Sequence, residues 1–339
     1  MPASIHDVAA RAGVSVATVS RSLTAPHTVR DDTRARVLAA AAVLGYEPNR
    51  AARGLITGRT GNVGVIVPDL ANPYFHAVLK GAQARAREAD YAVFVADGQE
   101  DAAEEEALIH AMRKQVDGIV LCSSRLAPVT LERLEPTPTL VLLNRLVPGR
   151  PSVVVDSAGG MRQAMRHLAE LGHVRCAFVA GPRGSWSNRE RLRGLRACAR
   201  AVGVELVTIG PVAPQFASGA AAADRVLQDG ATAVLAYNDL VAVGILSRLA
   251  ELGVRVPDEL SVVGFDDIPL ATMVTPPLTT VAAPTELAGR AAVEVLLDGL
   301  EHGAARPAAA VQRLEATLVV RGSTAPPANA RTTTVLRSA

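Results

Sequence analysis

The chain has few cysteines, no long apolar run and no export signal at its start. Its three cysteines, odd in number and far apart in 339 residues, argue against a disulfide framework and a cysteine-rich metal site. No apolar segment approaches the roughly 18 residues that a membrane span needs. The opening MPASIHD lacks the basic stretch and apolar run of a signal peptide. We therefore expect a cytoplasmic protein with no membrane association, no metal and no cofactor.

Motifs of common α/β enzymes are also missing from the sequence. Gly58, Gly61 and Gly64 are evenly spaced but precede the first core strand, the wrong place for a phosphate-binding loop. There is no Walker lysine, no G-x-S-x-G elbow and no H-E-x-x-H. His167 and His173 are six residues apart, a spacing that does not put both on one helix face. These absences favour a protein that is not an enzyme, although fold alone does not settle activity.

The chain is long and apolar enough to bury a large core, and its charges are unevenly distributed along the sequence. Hydrophobic residues make up 49% of the sequence, which suits more than one domain. The net charge is only +2, but residues 1–59 hold eight arginines and four acidic residues, a local +4 that leaves −2 for the remainder. A small basic module on a slightly acidic body is typical of a domain that binds nucleic-acid phosphates.

The start of this basic module, residues 4–23, predicts two short helices joined by a tight turn. Ser4 can cap the first helix, and Asp7 completes a capping-box-like start. The apolar face of that helix consists of Ile5, Val8, Ala9 and Ala12. Gly13 can end the helix and Ser15 can cap the next one. On the turn alone, an ordinary helical hairpin is an equal alternative to a DNA-reading motif.

A third helix and a short amphipathic segment follow. Residues 33–44 have helical periodicity, and Gly45 can close the helix. The positions predicted to point inward are Val37, Leu38, Ala41 and Leu44. After the sequence YEPNR, residues 51–56 are too short to form a stable helix in isolation.

Three stretches of this region resemble the DNA-binding headpiece of the lactose-repressor and galactose-repressor (LacI/GalR) family: DVAARAGVSVATVSRSL, VRDDTRARV and LGYEPNRAARGL. The resemblance implies a hinge helix that folds on the operator, and a leucine from each subunit that wedges into a central C·G step. Leu55 matches that leucine. The DNA-binding residues that the resemblance implies are Ser15, Val16, Ala17, Thr18, Ser20, Arg21, Thr33, Asn49, Ala52 and Leu55.

Within this set, Val16 and Ala17 match two residues that set base preference. They can offer only apolar contact or shape fit, so hydrogen bonding to a guanine would fall to Arg21. The polar residues that match positions near phosphates are Ser15, Thr18, Ser20, Thr33 and Asn49. Helix capping or plain solvation is the alternative for each of them.

From Asn62 onward, short apolar runs alternate with helical segments. Runs rich in Val, Ile and Leu are typical of parallel strands covered on both faces. The first series of predicted strands is 63–67, 92–96, 118–122, 140–143 and 153–155. The second series is 176–180, 205–209, 233–236 and 261–265. We expect two α/β layers in succession, with a ligand site in the cleft at the carboxyl ends of the strands.

The resemblance continues over this body, through GVIVPDLANPYF, AYNDLVAVG and ELSVVGFDD, to about Gly322. The body is also similar to the sugar-binding proteins of bacterial periplasms. The pocket positions that the resemblance implies are Tyr74, Phe75, Asn144, Ser185, Ser187, Arg191, Asn238 and Asp266. Asn144 stands where aspartate is common, and its amide can both donate and accept. Trp186 is a stacking candidate, with a plain surface or core role as an equal alternative. The match is indefinite over residues 210–219, which leaves the role of Phe216 open.

The fold class that follows is an N-terminal all-α helix-turn-helix headpiece with a hinge helix, then a periplasmic-binding-protein-like α/β core of two parallel-sheet subdomains. Expected boundaries are 1–46 for the headpiece, 47–60 for the hinge helix and linker, 61–325 for the effector-binding and dimerisation core, and 326–339 for a flexible tail. The N-subdomain is expected at about 61–156 and 284–312. The C-subdomain is expected at about 157–283 and 313–325.

The predicted function is a homodimeric transcriptional repressor of carbohydrate-utilisation genes that binds a near-palindromic double-stranded operator at the nucleoid. An arginine fork, a carboxylate, amides and an aromatic floor suit a neutral effector, a mono- or disaccharide. The same architecture sensing a purine, a nucleoside or a sugar phosphate is the first alternative. An α/β enzyme or a transport sugar-binding protein is less favoured, since neither explains the basic headpiece. Whether the effector induces or co-represses stays open.

Overall fold

The computed structural model describes residues 3–24, 28–46, 58–134, 139–302 and 311–328. The chain divides into two compact units, Met1–Gly61 and Asn62–Ala339. Nearly all of the predicted hinge and linker at 47–60 lies outside the described residues, and with it Asn49, Ala52 and Leu55. Most of the predicted tail at 326–339 lies outside them as well.

Three helices pack around a small apolar core in the described part of the first unit. They are α1 Ile5–Ala12, α2 Val16–Thr24 and α3 Asp31–Leu44. α1 begins with the predicted capping box, in which the side chains of Ser4 and Asp7 each accept from the other's backbone N–H. The core contains Val8, Ala9, Ala12, Val19, Val37, Ala40 and Ala41. The prediction that Leu38 points inward is wrong, because Ala40 rather than Leu38 shares the buried face of α3, and Leu38 is 44% exposed.

The described strands of the second unit form two six-stranded sheets. The first nine strands are β1 Asn62–Val67, β2 Ala92–Asp97, β3 Gly118–Cys122, β4 Thr139–Leu143, β5 Ser152–Val155, β6 Arg175–Val179, β7 Glu205–Ile209, β8 Ala233–Ala236 and β9 Ser261–Asp266. The last three are β10 Thr279–Ala282, β11 Val311–Leu314 and β12 Thr317–Val319. The nine predicted strands agree with β1 to β9 to within one residue at each end. β10 to β12 are short, and their sequences do not form continuous apolar runs.

The two sheets define two subdomains with similar strand orders. The first sheet has the order β11-β5-β4-β3-β1-β2 and the second β12-β10-β9-β8-β6-β7. All neighbours are parallel except β10 and β12. The chain passes from the first sheet to the second after β5, returns after β10, and passes across again between β11 and β12. Neither subdomain is therefore a continuous piece of the sequence.

Helices cover the sheets and bury their apolar faces. Their bounds are α4 Pro73–Glu88, α5 Ala102–Met112, α6 Pro128–Arg133, α7 Ser157–Glu170, α8 Trp186–Val202, α9 Phe216–Asp229, α10 Asp239–Glu251, α11 Leu270–Met273 and α12 Thr285–His302. α4 and α12 cross with their backbones in close approach: a Cβ on Gly81 would lie 1.8 Å from the Glu286 carbonyl oxygen, and one on Gly289 would lie 1.9 Å from that of Val78. The late helix α12 is thereby fixed to the first subdomain.

β2 departs from the expectation that every strand is covered on both faces. It is an edge strand whose partner in the sheet is β1. Phe94 is 41% exposed and Val95 is 38% exposed. The first subdomain therefore has apolar surface at this edge.

Candidate functional site

The outward side of α2 is the candidate DNA-contacting surface of the first unit. Ala17 and Arg21 are exposed, and the Arg21 Nε donates to the Ala17 carbonyl oxygen over 3.3 Å. Ser20 is partly buried. Val16 is also partly buried and packs against the core of the three helices. On this side of α2, Ala17 and Arg21 are thus open to solvent, whereas Val16 and Ser20 are partly covered.

Hydroxyl groups at the helix starts bond to their own helices. The Ser15 hydroxyl oxygen accepts from the Thr18 N–H over 3.2 Å, and the two hydroxyl oxygens are 2.9 Å apart. The Thr33 hydroxyl donates to Asp32 Oδ1 over 3.4 Å. Ser15 therefore caps α2, whereas α3 has no side-chain cap and Thr33 bonds to the neighbouring Asp32 side chain. A phosphate contact would use the remaining hydrogen-bonding capacity of the same hydroxyls.

A cleft with an empty volume of about 360 Å³ lies in the second unit, between the carboxyl ends of the strands of the two sheets. The predicted residues that line it are Tyr74, Phe75, Asn144, Ser187, Arg191, Asn238 and Asp266. Six further lining residues were not predicted: Asn72, Glu100, Ser123, Arg125, Pro214 and Tyr237.

Arg191 is the central group of the wall that the second subdomain contributes. It lies in the second turn of α8, and its guanidinium stacks 3.6 Å from the ring centroid of Phe265 and 4.6 Å from that of Tyr237. One terminal nitrogen donates to the Tyr237 carbonyl oxygen and the other to Asp266 Oδ1, the latter over 3.3 Å. Its Nε is buried and has no hydrogen-bond partner. The side chain is therefore held in place while its buried Nε has no partner.

Asp266 ends β9 in an unusual backbone conformation, with φ of 113°, a region that non-glycine residues seldom adopt. Burial raises the pKa of its carboxyl to about 7, against the opposing effect of the Arg191 charge. Its charge can therefore change near neutral pH. The next residue, Asp267, bonds to Arg321 over 2.6 Å, as expected for a residue on the opposite side of the strand.

The buried Asp239 supports the loop that carries Asp266. Its carboxylate accepts from the Ile268 N–H over 2.9 Å and from the Thr280 hydroxyl over 2.5 Å. Burial raises the pKa of this carboxyl well above its usual value, and the nearby Asp266 raises it further. Asp239 thus ties the turn after β9 to β10.

Asn144 joins two parts of the wall that the first subdomain contributes. Its Nδ2 donates to the Tyr74 hydroxyl over 2.7 Å, and its Oδ1 accepts from the Val155 N–H over 3.0 Å. An aspartate at this position could accept from both groups but could not donate. Asn144 also has a positive φ of 55°, a conformation that asparagine tolerates better than most residues. The amide therefore fixes the shape of this wall.

An ion pair lies beside Asn144 on the same wall. Arg125 binds Glu100 through two hydrogen bonds of 2.6 and 2.9 Å, and it also donates to the Ser123 carbonyl oxygen over 2.6 Å. The backbone N–H of Arg125 donates to the buried Glu105 over 2.8 Å. Because the charges of Glu100 and Arg125 are paired, this wall is neutral overall.

Arg145 joins the two subdomains beside the cleft. Only 2% of it is exposed, and burial lowers the pKa of its guanidinium. It donates to the Leu126 carbonyl oxygen over 2.8 Å and, across to the second subdomain, to that of Gly184 over 3.3 Å. Its Nε has no hydrogen-bond partner. The contact with Gly184 depends on the two subdomains remaining close together.

Two predicted pocket residues lie outside the cleft lining. Ser185 is buried and caps α8, accepting from the Asn188 N–H over 3.1 Å, and its hydroxyl is 3.1 Å from that of Tyr237. Trp186 is partly exposed at the first position of α8 and does not line the cleft. The structure therefore does not bring Trp186 to the cleft lining, where α8 is represented by Ser187 and Arg191, four residues apart on one side of the helix.

The lining residues that were missed carried little signal in the sequence. Pro214 lines the cleft in the stretch with no definite match, whereas Phe216 is 46% exposed. Tyr237 directly follows β8 and precedes the predicted Asn238. Its position at the carboxyl end of a strand is a signal from which Tyr237 could have been predicted. Glu100 and Arg125 are in separate loops, after β2 and β3. No local motif indicates that those loops meet.

Within the ranges that the structure describes, no group of three or more His, Cys, Asp or Glu side chains could hold a metal ion. None of the described helices is both long and apolar enough to cross a membrane. The three cysteines are buried and free.

Two family models match the chain. The model for "Bacterial regulatory proteins, lacI family" matches residues 4–49, and the one for "Periplasmic binding protein-like domain" matches residues 165–324. The HTH-type transcriptional repressor CytR of Escherichia coli (strain K12) is 34% identical over 332 residues, which cover 95% of this chain and 96% of that protein.

Solved structures show the same fold over nearly the whole chain. The lac repressor dimer bound to operator and the anti-inducer ONPF has a TM-score of 0.83 and 29% identity, with 96% of this chain and 100% of that chain covered. The complex of transcriptional regulator CelR with cellobiose has a TM-score of 0.70 and 32% identity, with 95% and 99% covered. The predicted family and fold class are confirmed. The chain therefore belongs to the lacI family of bacterial regulatory proteins, and it is a DNA-binding transcriptional regulator of the repressor type.

Proposed function

We propose that a small neutral sugar binds in the cleft and changes the affinity of this repressor for its operator. The observation that carries the proposal is the buried Arg191 Nε, which has no partner and lies in a wall that also contains Asp266. A buried donor without a partner costs roughly 1–3 kcal/mol. A ligand oxygen that accepts from this donor removes that cost.

The charges of the cleft support a neutral ligand with many hydroxyl groups. Arg191 is paired with Asp266, and Arg125 with Glu100, so each charged group already has a counter-ion. The rings of Tyr74 and Phe75 meet edge to face at a centroid distance of 5.0 Å and offer apolar surface for a sugar ring. The cellobiose complex of the similar regulator CelR supports the same ligand class.

The test is a thermal-shift panel of monosaccharides, disaccharides, sugar phosphates, nucleosides and purines, each at millimolar concentration. A ligand at 100 times its Kd stabilises the native state by about 2.7 kcal/mol. We expect a neutral sugar to raise the Tm, and Asp266→Ala to remove that shift. A purine, nucleoside or phosphate ester that acts instead, with no response to neutral sugars, would contradict the sugar assignment.

On the DNA side, we propose that α2 enters the major groove and that Leu55 wedges into the centre of a near-palindromic operator. Leu55, with Asn49 and Ala52, lies outside the described residues, so this role rests on the family resemblance. Insertion of an apolar wedge costs unstacking energy and is offset by contacts with the kinked DNA. Leu55→Ala should weaken specific binding much more than non-specific binding in a gel-shift titration. Leu38→Ala, at an exposed position of α3, is the matched control; equal losses on both DNAs would rule out the wedge.

The two sites are coupled by a shift in population between two relative positions of the subdomains. The effector favours one of them, and only the other allows paired hinge helices to form on the operator. A coupling of about 1–3 kcal/mol corresponds to a 5- to 150-fold change in operator affinity. Arg191→Ala and Asp266→Ala should keep operator binding and lose the response to effector. A folded variant that loses operator binding instead would contradict this assignment.

The same proposal includes a homodimer, no catalytic activity and a place of action at the nucleoid in the cytoplasm. Phe94 and Val95, exposed at the edge of the first sheet, support a subunit contact there, since apolar surface on an edge strand is normally covered. Phe94→Glu should shift the protein toward monomers in sedimentation velocity and weaken operator binding. An unchanged dimer would place the subunit contact elsewhere on the core.

A further inference from the structure

The outward side of α8 carries a line of exposed arginines, which we call the arginine ridge. Its members are Arg189, Arg193, Arg196 and Arg200. Their spacings of four, three and four residues put them on one side of the helix. The buried side of α8 includes the cleft residues Ser187 and Arg191. From its first arginine to its last, the ridge extends about 16 Å along the helix axis.

Most of the ridge has no negatively charged partner. α8 contains five arginines and one acidic residue, Glu190, which pairs with Arg193. Within the described residues, no acidic side chain pairs with Arg189, Arg196 or Arg200. The Arg200 Nε donates to the Arg196 carbonyl oxygen over 3.2 Å, a bond that leaves both positive charges unbalanced. The ridge therefore presents several positive charges to solvent.

Helix pairs elsewhere in the second unit balance such charges across their contact. Arg290 of α12 binds Glu88 of α4 through two hydrogen bonds of 2.7 Å. Arg248 of α10 binds Asp224 of α9 over 3.2 Å. The chain beyond residue 59 has a net charge of −2. The ridge is therefore a local positive surface on a body that is slightly acidic overall.

Two exposed valines lie at the C-terminal end of the ridge. Val202 ends α8 and is 40% exposed, and Val174 is 72% exposed. The Val174 carbonyl oxygen accepts from the Glu205 N–H over 2.8 Å, which brings Val174 beside the chain that leaves α8. Glu205 itself pairs with Arg175, so its charge is already balanced. The ridge therefore ends in apolar surface.

The neighbouring helix α7 adds one more arginine at that end. A Cβ on Gly194 would lie 2.3 Å from the Ala158 carbonyl oxygen, and the Cys198 Sγ donates to the Arg162 carbonyl oxygen over 3.5 Å. α7 and α8 therefore run side by side in the same direction. Continued by one turn, this register puts the exposed Arg166 level with the last turn of α8.

We propose that the arginine ridge and the two valines form a docking surface for a partner protein that presents an acidic helix with apolar residues at one end. A partner helix has the same rise per residue, so carboxylates at spacings of four, three and four residues meet the ridge along its whole length. Exposed ion pairs contribute little affinity but speed association and fix orientation. Burial of Val174 and Val202 supplies affinity that the ion pairs lack.

The valines favour a protein over a nucleic acid as the occupant. Phosphates of a nucleic-acid backbone bind through charge and gain nothing from apolar side chains beside the arginines. Protein interfaces combine an apolar centre with enriched arginine. The mixed surface at the end of α8 has this composition.

The test is methyl NMR on the full-length protein with ¹³C-labelled valine methyl groups. The probe is a synthetic alanine-based helix of about 20 residues, with glutamates at the spacings of the ridge and leucines at one end. A second peptide has the same composition but distributes its glutamates around the helix. We expect the first peptide to shift the Val174 and Val202 signals and to bind about tenfold more tightly than the second.

Charge-reversal variants locate the contact. Arg196→Glu, Arg200→Glu should weaken binding of the first peptide by about tenfold or more, and the neutral pair Arg196→Gln, Arg200→Gln should give a smaller loss. The matched control is Arg87→Glu, Arg225→Glu, which changes the net charge equally at exposed arginines of α4 and α9. It should change the affinity by less than about twofold.

Other outcomes overturn the inference. Equal binding of the two peptides, or unchanged affinity in Arg196→Glu, Arg200→Glu, would mean that the ridge does not recognise an acidic helix. If non-operator DNA shifts the two valine signals and the peptide does not, the occupant is a nucleic acid. If the charge reversal lowers the sedimentation coefficient of the free protein, the ridge is a contact between copies of this chain.

Discussion

The two walls of the cleft differ in how completely their polar groups are paired before any ligand arrives. On the wall of the first subdomain, the Asn144 amide is bonded on one side to Tyr74 and on the other to the strand β5. On the wall of the second subdomain, Arg191 keeps an unused buried Nε, and Asp266 has a pKa raised to about 7 by burial. The polar groups around Asn144 are therefore paired with one another, whereas Arg191 on the second wall keeps a buried donor without a partner.

This difference separates two roles within one site. Paired groups such as those around Asn144 fix the shape of a wall, because breaking their bonds leaves buried atoms unsatisfied. Groups with unused capacity, such as Arg191, gain most from a ligand. We therefore expect substitutions on the second wall to act mainly on effector affinity, and substitutions on the first wall to act mainly on stability.

The largest effect should come from Arg191→Ala. Losing the charged Nε donor that a ligand oxygen would use costs about 1.5–3 kcal/mol, so affinity for the sugar found in the thermal-shift panel should fall by roughly tenfold or more in calorimetry. Arg193→Ala is the matched control, because Arg193 lies on the same helix in an exposed pair with Glu190. If both variants bind the sugar equally well, the second wall does not determine sugar affinity, and the proposed difference between the walls is wrong.

The next effect concerns pH and Asp266. Because burial raises the pKa of Asp266 from 3.8 to about 7, the folded protein keeps a proton that the unfolded chain has lost. The free energy of unfolding should therefore fall as pH rises from about 4 to about 7 and change little above that, by an amount on the order of a few kcal/mol. Asp266→Asn should remove this part of the slope in urea denaturation measured across the same pH range.

Three other groups that are wholly or partly buried have shifted pKa values and also contribute to the pH dependence of the free energy of unfolding. The pKa of Asp239 is also raised, chiefly by burial, so it contributes a slope of the same sign. Burial lowers the pKa of His167 and His173, and their contribution has the opposite sign, with stability lost as pH falls. Subtracting the free energy of unfolding of Asp266→Asn from that of the wild type at each pH isolates the contribution of the Asp266 carboxyl group. A difference that does not vary with pH would mean that Asp266 is ionised throughout the range.

A smaller effect on sugar affinity is expected on the first wall. Asn144→Leu leaves the Val155 N–H without its acceptor and puts a leucine at a positive φ, so the free energy of unfolding should fall by more than the about 1–3 kcal/mol of an unsatisfied donor. Tyr74→Phe removes only the bond to Asn144 and should cost about 0.5–1.5 kcal/mol. Urea denaturation measures both. A larger loss of sugar affinity in Asn144→Leu than in Arg191→Ala would reverse the roles of the two walls.

The smallest effect is expected at Trp186. It lies outside the cleft lining, so Trp186→Phe should change sugar affinity by less than about twofold, well under the 1.4 kcal/mol of a tenfold change. Calorimetry tests this directly, and the loss of tryptophan fluorescence verifies the substitution. A tenfold loss would restore the stacking role that the sequence suggested.

Elements with strong local patterns were predictable from the sequence. Continuous apolar runs indicated β1 to β9 to within a residue. Most of these strands are buried on both faces, which leaves little room for polar side chains, whereas the edge strands β2 and β7 are partly exposed. Arg191, Asn238 and Asp266 were found because each lies in a stretch that resembles the family. The capping box of α1 was readable because Ser4 and Asp7 are three residues apart and bond each other.

Features that depend on distant parts of the chain were not predictable. The pairing of Glu100 with Arg125 joins loops after two separate strands, and neither loop contains a motif. Trp186 and Ser187 are adjacent in sequence, and only the orientation of α8 decides which one faces the cleft. Leu38 fits a helical apolar pattern, yet the packing of three short helices buries Ala40 in its place.

The positions of β11 and β12 in the sequence determine when the two sheets can be completed during synthesis. β11 completes the edge of the first sheet beside β5, and β12 completes the second beside β10. Both come from residues 311–319, close to the end of the chain. Since synthesis proceeds from the N-terminus and domains fold as units, the three helices that bind DNA emerge from the ribosome long before either sheet has its last strand. A nascent or prematurely terminated chain can therefore carry the three-helix unit without two complete sheets.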